Sequence, residues 1–395
     1  MEPTAEPGDR GRTLVATCAL GTEHALIGEL RALRMRGVKG SRGAVRFVGS
    51  VEDGMRACLH LRTAMKVLLP LAAFPAPDAD ALYAGTRTIA WDEHLTAKQT
   101  IAVEATGTST TLRHTGFTAL KVKDAICDVL RDKTGARPNV DTRAPDVPVL
   151  VHLGKQDDAT VYLDLSGRSL HLRGYRPAGS DAPLRETLAA ALLLLLGYDG
   201  STPFWDPMAG TGTLVVEAAW IAQRRAPGLG RHFPFERWPS FPGAMQSRWH
   251  RLLHEAREAI RTDIPPMRAG DFSVKALRLL EPTLALAGVA DSVRVDREDV
   301  RQARPHEDAT GGLVLCNPPY GERMGQPLQI QGLYRGMGEA MRTWDGQRIA
   351  VFTGMPAFTR HFGYAARQTW NLHNGPLPCV LHDLGTPPFR RADLR

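Results

Sequence analysis

The 395-residue chain lacks the makings of a disulfide framework or a zinc knuckle: its five cysteines are scattered, odd in number and never paired as Cys-x-x-Cys. That pattern points to a reducing compartment. The opening residues, MEPTAEPGDRGR, carry no apolar stretch, so they do not read as a secretory signal. The longest apolar run, residues 188–196, is far shorter than a bilayer span. We therefore expect a cytoplasmic protein, a monomer, with no membrane segment and no metal. What is present is ordinary for a globular chain, 43% hydrophobic and 23% charged, and long enough for two or three domains. Basic residues outnumber acidic ones 49 to 42, a net charge of +7 that mildly favours a polyanionic partner. The predominance of Arg over Lys suits phosphate contacts, though a GC-rich coding bias produces it equally well.

Short strands at 13–17, 44–48 and 66–71 alternate with amphipathic helices from Gly21 and at 51–62. This β-α-β-α-β order suggests a small ferredoxin-like lobe. Residues 70–80, rich in Pro and Asp, read as a link to a second lobe with strands at 101–106, 149–153 and 160–165 and a long helix at 118–133. Around that helix gather Arg113, His114, Lys121, Lys123, Arg131, Lys133 and Arg137, which the residues alone leave as a solvated face. Turn formers at 172–183 mark a boundary. Beyond it, strands at 203–206, 267–271, 292–295 and 312–316 alternate with helices, the rhythm of βαβ units and a parallel sheet.

Two constellations carry chemistry. In the first, an apolar strand ends at Asp206, followed by Pro-Met-Ala-Gly210-Thr-Gly212 and an apolar helix. The glycines admit a ligand close to the backbone, and the helix start offers unpaired N–H groups. No Lys follows Gly212, which excludes a P-loop, and the third glycine of a dinucleotide fingerprint is missing. A plain tight turn remains open for this segment alone. Asp271 and Asp299, at or just past the next two strand ends, suit a ribose diol and an adenine amine. Three acids at consecutive carboxyl ends around a glycine turn fit one adenosyl-amino-acid pocket.

In the second constellation, the strand 313–316 runs straight into Asn317-Pro318-Pro319-Tyr320. Two prolines stiffen the exit from the sheet. The side-chain oxygen of Asn317 and the Pro318 carbonyl supply two acceptors, which matches the two hydrogens of a planar NH₂ group. Tyr320 offers a face on which a base can stack, worth about 1–3 kcal/mol. Cys316 ends a buried strand and reads as core rather than nucleophile.

Residues 201–384 resemble a class I methyltransferase of the N6-adenine/N2-guanine group. Nearly the whole chain resembles the RlmL-like family of bacterial 23S rRNA guanine-N2 methyltransferases. The likeness rests on ALKVKDAI at 119–126, RPNVD at 137–141, LDLSG at 163–167, LHLRGY at 170–175, ETLAA at 186–190, the Asp206 motif and 317–323. It implies an α/β fold in which a Rossmann-like methyltransferase domain (176–395) follows an α+β ferredoxin-like lobe (11–72) and a THUMP RNA-binding domain (73–165). It implies S-adenosylmethionine as cofactor, with Asp206, Pro207, Gly210, Gly212, Asp271, Asp299 and Thr187 around it. Asn317, Pro318, Pro319 and Tyr320 would then meet the target guanine, and Lys121, Lys123 and Arg137 would face RNA. The implied substrate is 23S rRNA or a large-subunit precursor, with a tRNA guanine or an adenine amine as alternatives. Some family members carry a second methyltransferase domain; with the chain ending at Arg395, only the N2-directed activity is implied. Ala209 stands where relatives usually have Cys, a packing change.

Residues 227–249 interrupt the βαβ rhythm with Arg231, Arg237 and Arg248 among Phe233, Phe235, Trp238, Phe241 and Trp249. Such interleaving suits unpaired bases, but a lid packing its own aromatics on the sheet is the simpler expectation. Asn374-Gly-Pro reads as the turn of a terminal hairpin, and Glu217 as a residue packing or capping within its helix.

Overall fold

The computed structural model describes residues 11–177, 184–305, 311–320 and 327–392. Residues 321–323 of the stretch 317–323, and half of the expected boundary at 172–183, lie outside the described residues. The chain divides into two compact units. One holds residues 27–170 with 230–255 and the segment up to Thr17; the other holds 18–26, 171–229 and the chain from Ala256 on.

In the first unit the elements run β1 (Arg12–Thr17), α1 (Glu23–Ala32, which begins in the second unit), β2 (Arg36–Ser41), β3 (Ala44–Gly49), α2 (Val51–His60), β4 (Lys66–Pro75), α3 (Ala79–Arg87), β5 (Thr100–Gly107), α4 (Thr115–Thr134), β6 (Asn139–Val140), β7 (Val147–Leu153) and β8 (Asp158–Asp164). With β2 added to the expected elements, the first six form a ferredoxin-like βαββαβ lobe. Local signals account for several helix ends. Ser50 and Asp53 form a reciprocal capping box on α2, Asp78 caps α3, and Gly135 closes α4 at φ 77°. All eight strands belong to one sheet, in the order β2-β3-β1-β4-β8-β7-β5-β6. The two lobes therefore share a sheet through the antiparallel pair β4–β8. The strand β4 does not stop at Pro70: the register shifts between Pro70 and Ala72, and the strand continues to Pro75. Such a bulge absorbs the donor that proline lacks.

The second unit has α5 (Glu186–Leu195), β9 (Phe204–Asp206), α6 (Thr213–Ala222), α7 (Ala244–Glu258, which begins in the first unit), β10 (Met267–Asp271), α8 (Val274–Ala287), β11 (Val293–Arg297), β12 (Leu313–Cys316), α9 (Pro327–Met341), β13 (Arg348–Thr353), α10 (Phe358–Phe362), β14 (Gln368–Asn374) and β15 (Leu377–Gly385). Its seven-stranded sheet, β11-β10-β9-β12-β13-β15-β14, is parallel except at β15, which runs antiparallel to both β13 and β14. This is a Rossmann-like, doubly wound sheet. Alternation along β12 sends Leu313 and Leu315 into one core, with α5 and α6, and Val314 and Cys316 into the other, with α9 and α10. Among the described residues, no helix is long and apolar enough to cross a membrane.

The excursion at 230–255 behaves differently from a lid over the seven-stranded sheet. It belongs to the first unit, and its five aromatics are all buried. Trp249 meets Phe233 and Phe235 edge-on at 5.6 and 5.0 Å, and Pro234 rests against Gly167. The arginines bind protein rather than standing free for phosphate: Arg231 donates to the Ser169 carbonyl at 3.1 Å, Arg237 pairs with Asp146 and Arg248 with Glu52. Trp249→Ala should therefore lower stability by about 3–5 kcal/mol, the cost of emptying a well-packed aromatic site. Urea unfolding followed by circular dichroism measures it; a change within about 0.5 kcal/mol, typical of a surface residue, would mean the segment is peripheral.

Candidate active site

The strand order of the second sheet reverses between β9 and β12. From β9 the chain winds outward to β10 and β11, and from β12 the other way to β13. Loops leaving adjacent strands then diverge, opening a crevice at their carboxyl ends. Both constellations sit there, with Asp206 closing β9 and Asn317 following β12.

After Asp206 the chain makes a tight turn in which Gly210 and Gly212 adopt φ 55° and 86°, values that glycine tolerates best. A Cβ at Gly212 would collide with Leu280 of α8, whereas one at Gly210 would point into open space. The turn is pinned from the next strand: the Gly210 N–H donates to Asp271 at 2.9 Å, and the Ala209 N–H to the Gly270 carbonyl at 2.8 Å. The other oxygen of Asp271 accepts from the Ser273 N–H at 2.7 Å, which aims the carboxylate along the crevice edge. Asp206 is buried beside the buried Pro207, and one oxygen accepts from the Met208 N–H at 3.0 Å. Burial, with the like charge of Asp271 adding to it, pushes the Asp206 carboxyl well above the usual carboxylate range. A cation placed against it would restore its ionised form. Asp299 lies two residues beyond β11 and grips Arg301 through both oxygens, which holds its carboxyl below the usual range. Thr187 is buried in the first turn of α5, which packs against α6. The donor set and the open glycine turn thus suit an adenosyl-amino-acid ligand: an ammonium at Asp206, a diol at Asp271 and an amine at Asp299.

Across the crevice, the side-chain oxygen of Asn317 is buried and has no hydrogen-bond partner among the described residues. Leaving an acceptor so costs about 1–3 kcal/mol, and such orphans mark places where a ligand donor is missing. The corner holding it is braced. Tyr334 donates to the Pro319 carbonyl at 3.2 Å and shares a 2.6 Å hydrogen bond with Thr353. The Tyr320 hydroxyl accepts from the Asn374 amide at 2.9 Å and from the Cys379 thiol at 3.5 Å. Gly354 lies so close under the Tyr320 ring that a Cβ there would come within 2.8 Å. Asn374 and Gly354 thus position the Tyr320 ring, although in the sequence Asn374 reads only as a turn former and Gly354 carries no signal. Cys316 lies in the core with its thiol pushed up by burial, which leaves it no nucleophilic role.

The basic cluster on α4 is less free than its composition suggests. Lys121 faces Asp80 at 3.5 Å, Lys123 pairs with Asp124, Arg131 with Asp128 at 2.8 Å and Lys133 with Asp92 at 2.6 Å. Arg137 stays exposed. Among the described residues, no three His, Cys, Asp or Glu side chains gather as a metal site.

Residues 173–383 match the family described as UPF0020, RMKL-like, methyltransferase domain; 76–164 match the THUMP domain, and 13–68 the RlmL ferredoxin-like domain. The ribosomal RNA large subunit methyltransferase K/L of Syntrophotalea carbinolica is 42% identical over 96% of the chain and 54% of its own length. The chain spans about half the length of the curated relatives it matches. Among solved structures, SMU.472, assigned as a methyltransferase and complexed with SAH, superposes with a TM-score of 0.85 at 28% identity, covering 98% of this chain and 99% of that one. A Listeria monocytogenes protein, described as a predicted N6-adenine-specific DNA methylase, does so at 0.84 and 30% identity, covering 95% and 96%.

A buried charge network backs the glycine turn. Glu217 of α6 accepts from the Tyr175 hydroxyl at 3.0 Å and faces Arg173 at 3.4 Å, so it ties the entry segment to α6 rather than capping its own helix. Beside it, Glu186 pairs with Arg176 at 2.9 Å. Burial outweighs the pull of Arg176 and lifts the Glu186 carboxyl to about 7. Because this folded value exceeds the unfolded one, the proton stabilises the fold. The contribution is complete below about pH 4.5 and is lost as pH rises through about 7. Glu186→Gln should remove that loss, so its stability advantage over the parent should grow between pH 5 and 8 in urea unfolding. Parallel profiles would refute the assignment.

Proposed function

The chain belongs to the RMKL-like methyltransferase family, and from that premise we propose that it transfers a methyl group from S-adenosylmethionine to the exocyclic N2 of a guanine in 23S rRNA. The observation that carries the reading is the orphaned, buried oxygen of Asn317 at the carboxyl end of β12, beside the glycine turn. The names of the K/L relatives and the SAH in SMU.472 support the substrate and the cofactor.

When bound, the cofactor supplies an electrophilic methyl group on a sulfonium. Asp206, Pro207, Gly210, Gly212, Asp271, Asp299 and Thr187 would hold it. An aryl amine is a weak nucleophile because its lone pair is delocalised into the ring. Asn317 and the Pro318 carbonyl would accept hydrogen bonds from its two N–H groups, return electron density to nitrogen and aim the lone pair, and the proton that the methylated nitrogen sheds passes to solvent. Tyr320, fixed by Asn374 and Gly354, holds the base plane in a preset orientation. The base must leave its stack to arrive there, at a cost of a few kcal/mol met by contacts elsewhere on the RNA. Alignment of this kind contributes about 7–11 kcal/mol to lowering a two-reactant barrier.

Asn317→Ala should cut turnover by about 10²–10³-fold, as removal of one preorganised polar partner does, while cofactor binding persists in calorimetry. Asp271→Ala should instead weaken cofactor binding. Labelled cofactor with deproteinised rRNA and tRNA, followed by nucleoside analysis, reads turnover and target together. Label on adenine, on tRNA alone, or an Asn317→Ala variant of full activity would refute the reading.

A further inference from the structure

Positive charge in this protein is concentrated away from the helix that composition picks out. From Asp78 to Arg137, eight acidic and eight basic residues cancel, and several pair directly. Between Leu30 and Val51 stand six cations, Arg31, Arg34, Arg36, Lys39, Arg42 and Arg46, with no Asp or Glu. That local +6 nearly equals the whole chain's +7. All six side chains are exposed, and none makes an ion pair or side-chain hydrogen bond among the described residues.

Four of them ride on the β2–β3 hairpin. Lys39 lies directly opposite Arg46, and Arg36 opposite Val48. Directly opposed like charges on neighbouring strands are destabilising, and an anion between them relieves the cost. The strand β2 is also the sheet's edge, so one side of its backbone has no strand partner in the sheet. Gly37 and Gly40 on this strand are exposed.

We propose that the β2–β3 hairpin of the ferredoxin-like lobe is a binding surface for the RNA phosphodiester backbone. The inference rests on the RNA-methylating reading above and deepens it. Charge complementarity selects the occupant: a row of unpaired Arg and Lys on an edge strand suits closely spaced phosphates. Charge on an edge strand also deters strand pairing between copies, a role any charge fulfils regardless of sign. Charge reversal separates the two, because glutamates protect the edge equally well and repel phosphate.

The experiment compares the unaltered chain, R36E/K39E/R46E and K121E/K123E for binding to a fluorescent unpaired RNA of mixed sequence and to deproteinised 23S rRNA, across a salt series. Cofactor titration and sedimentation of each variant report whether it remains folded and monodisperse. We expect the hairpin variant to bind RNA at least about tenfold more weakly. Its log–log salt slope should shrink by about 2, since each single-strand phosphate contact contributes about 0.7. The α4 variant, whose lysines already face carboxylates, should lose less. A hairpin variant that binds within twofold of the parent overturns the inference, even while methyl transfer to RNA stands. So does a parent that binds phosphatidylserine vesicles through the hairpin and RNA without it. A parent that binds RNA through the hairpin yet methylates none refutes the functional reading and leaves this surface intact.

Discussion

Everything about the catalytic unit follows from one constraint: two parallel strands, β9 and β12, pair side by side while their crossovers depart in opposite directions. Backbone hydrogen bonding holds the strand ends together, and diverging loops keep them from covering each other. What stands at those ends therefore faces a shared space that the sheet itself does not fill. The protein places an acid and a glycine turn on one side and a proline-stiffened asparagine on the other. Each is buttressed from behind, by Asp271 for the turn and by Tyr334 and Asn374 for the corner. Rigidity is borrowed from neighbouring strands, and the loops need little stiffness of their own.

The parts of this arrangement legible in sequence are those whose chemistry is local. Asp206 and the glycines declare themselves because a strand, a turn and a helix follow without interruption, and Asn317-Pro-Pro-Tyr because two prolines have few other uses at a strand end. Where the reading falls short, the cause lies in long-range pairing. The strand β2 escapes notice because its Gly and Arg residues do not alternate with apolar ones; its register comes from β3. Residues 70–75 look like a linker because prolines usually end strands, yet the β8 partner and a bulge carry the strand through. The α4 lysines look free because their acids, Asp80 and Asp92, lie on other elements. Asn374 is read as a turn former, and only the fold brings its amide to Tyr320, 54 positions away.

Charge and catalysis are thus partitioned by unit. The crevice carries acids at the ends of its strands, Asp206 and Asp271, and most of the excess of positive charge lies in the other unit. Asp206 and Asp271 offer little attraction to an anion, and the unpaired cations of the β2–β3 hairpin stand on a different stretch of chain. Substitutions that tune one need not disturb the other.

The placement of residues 230–255 bears on how such proteins diversify. Because this stretch leaves the catalytic unit, buries its aromatics in the other and returns, the two units are interleaved along the gene. A recombination event cutting at any single point would strand hydrophobic side chains on one product and leave a hole in the other. The catalytic unit cannot be lifted out as a cassette and fused elsewhere. Its lineage is bound to that of its companion, and novelty must arise by substitution within both or by additions at the ends.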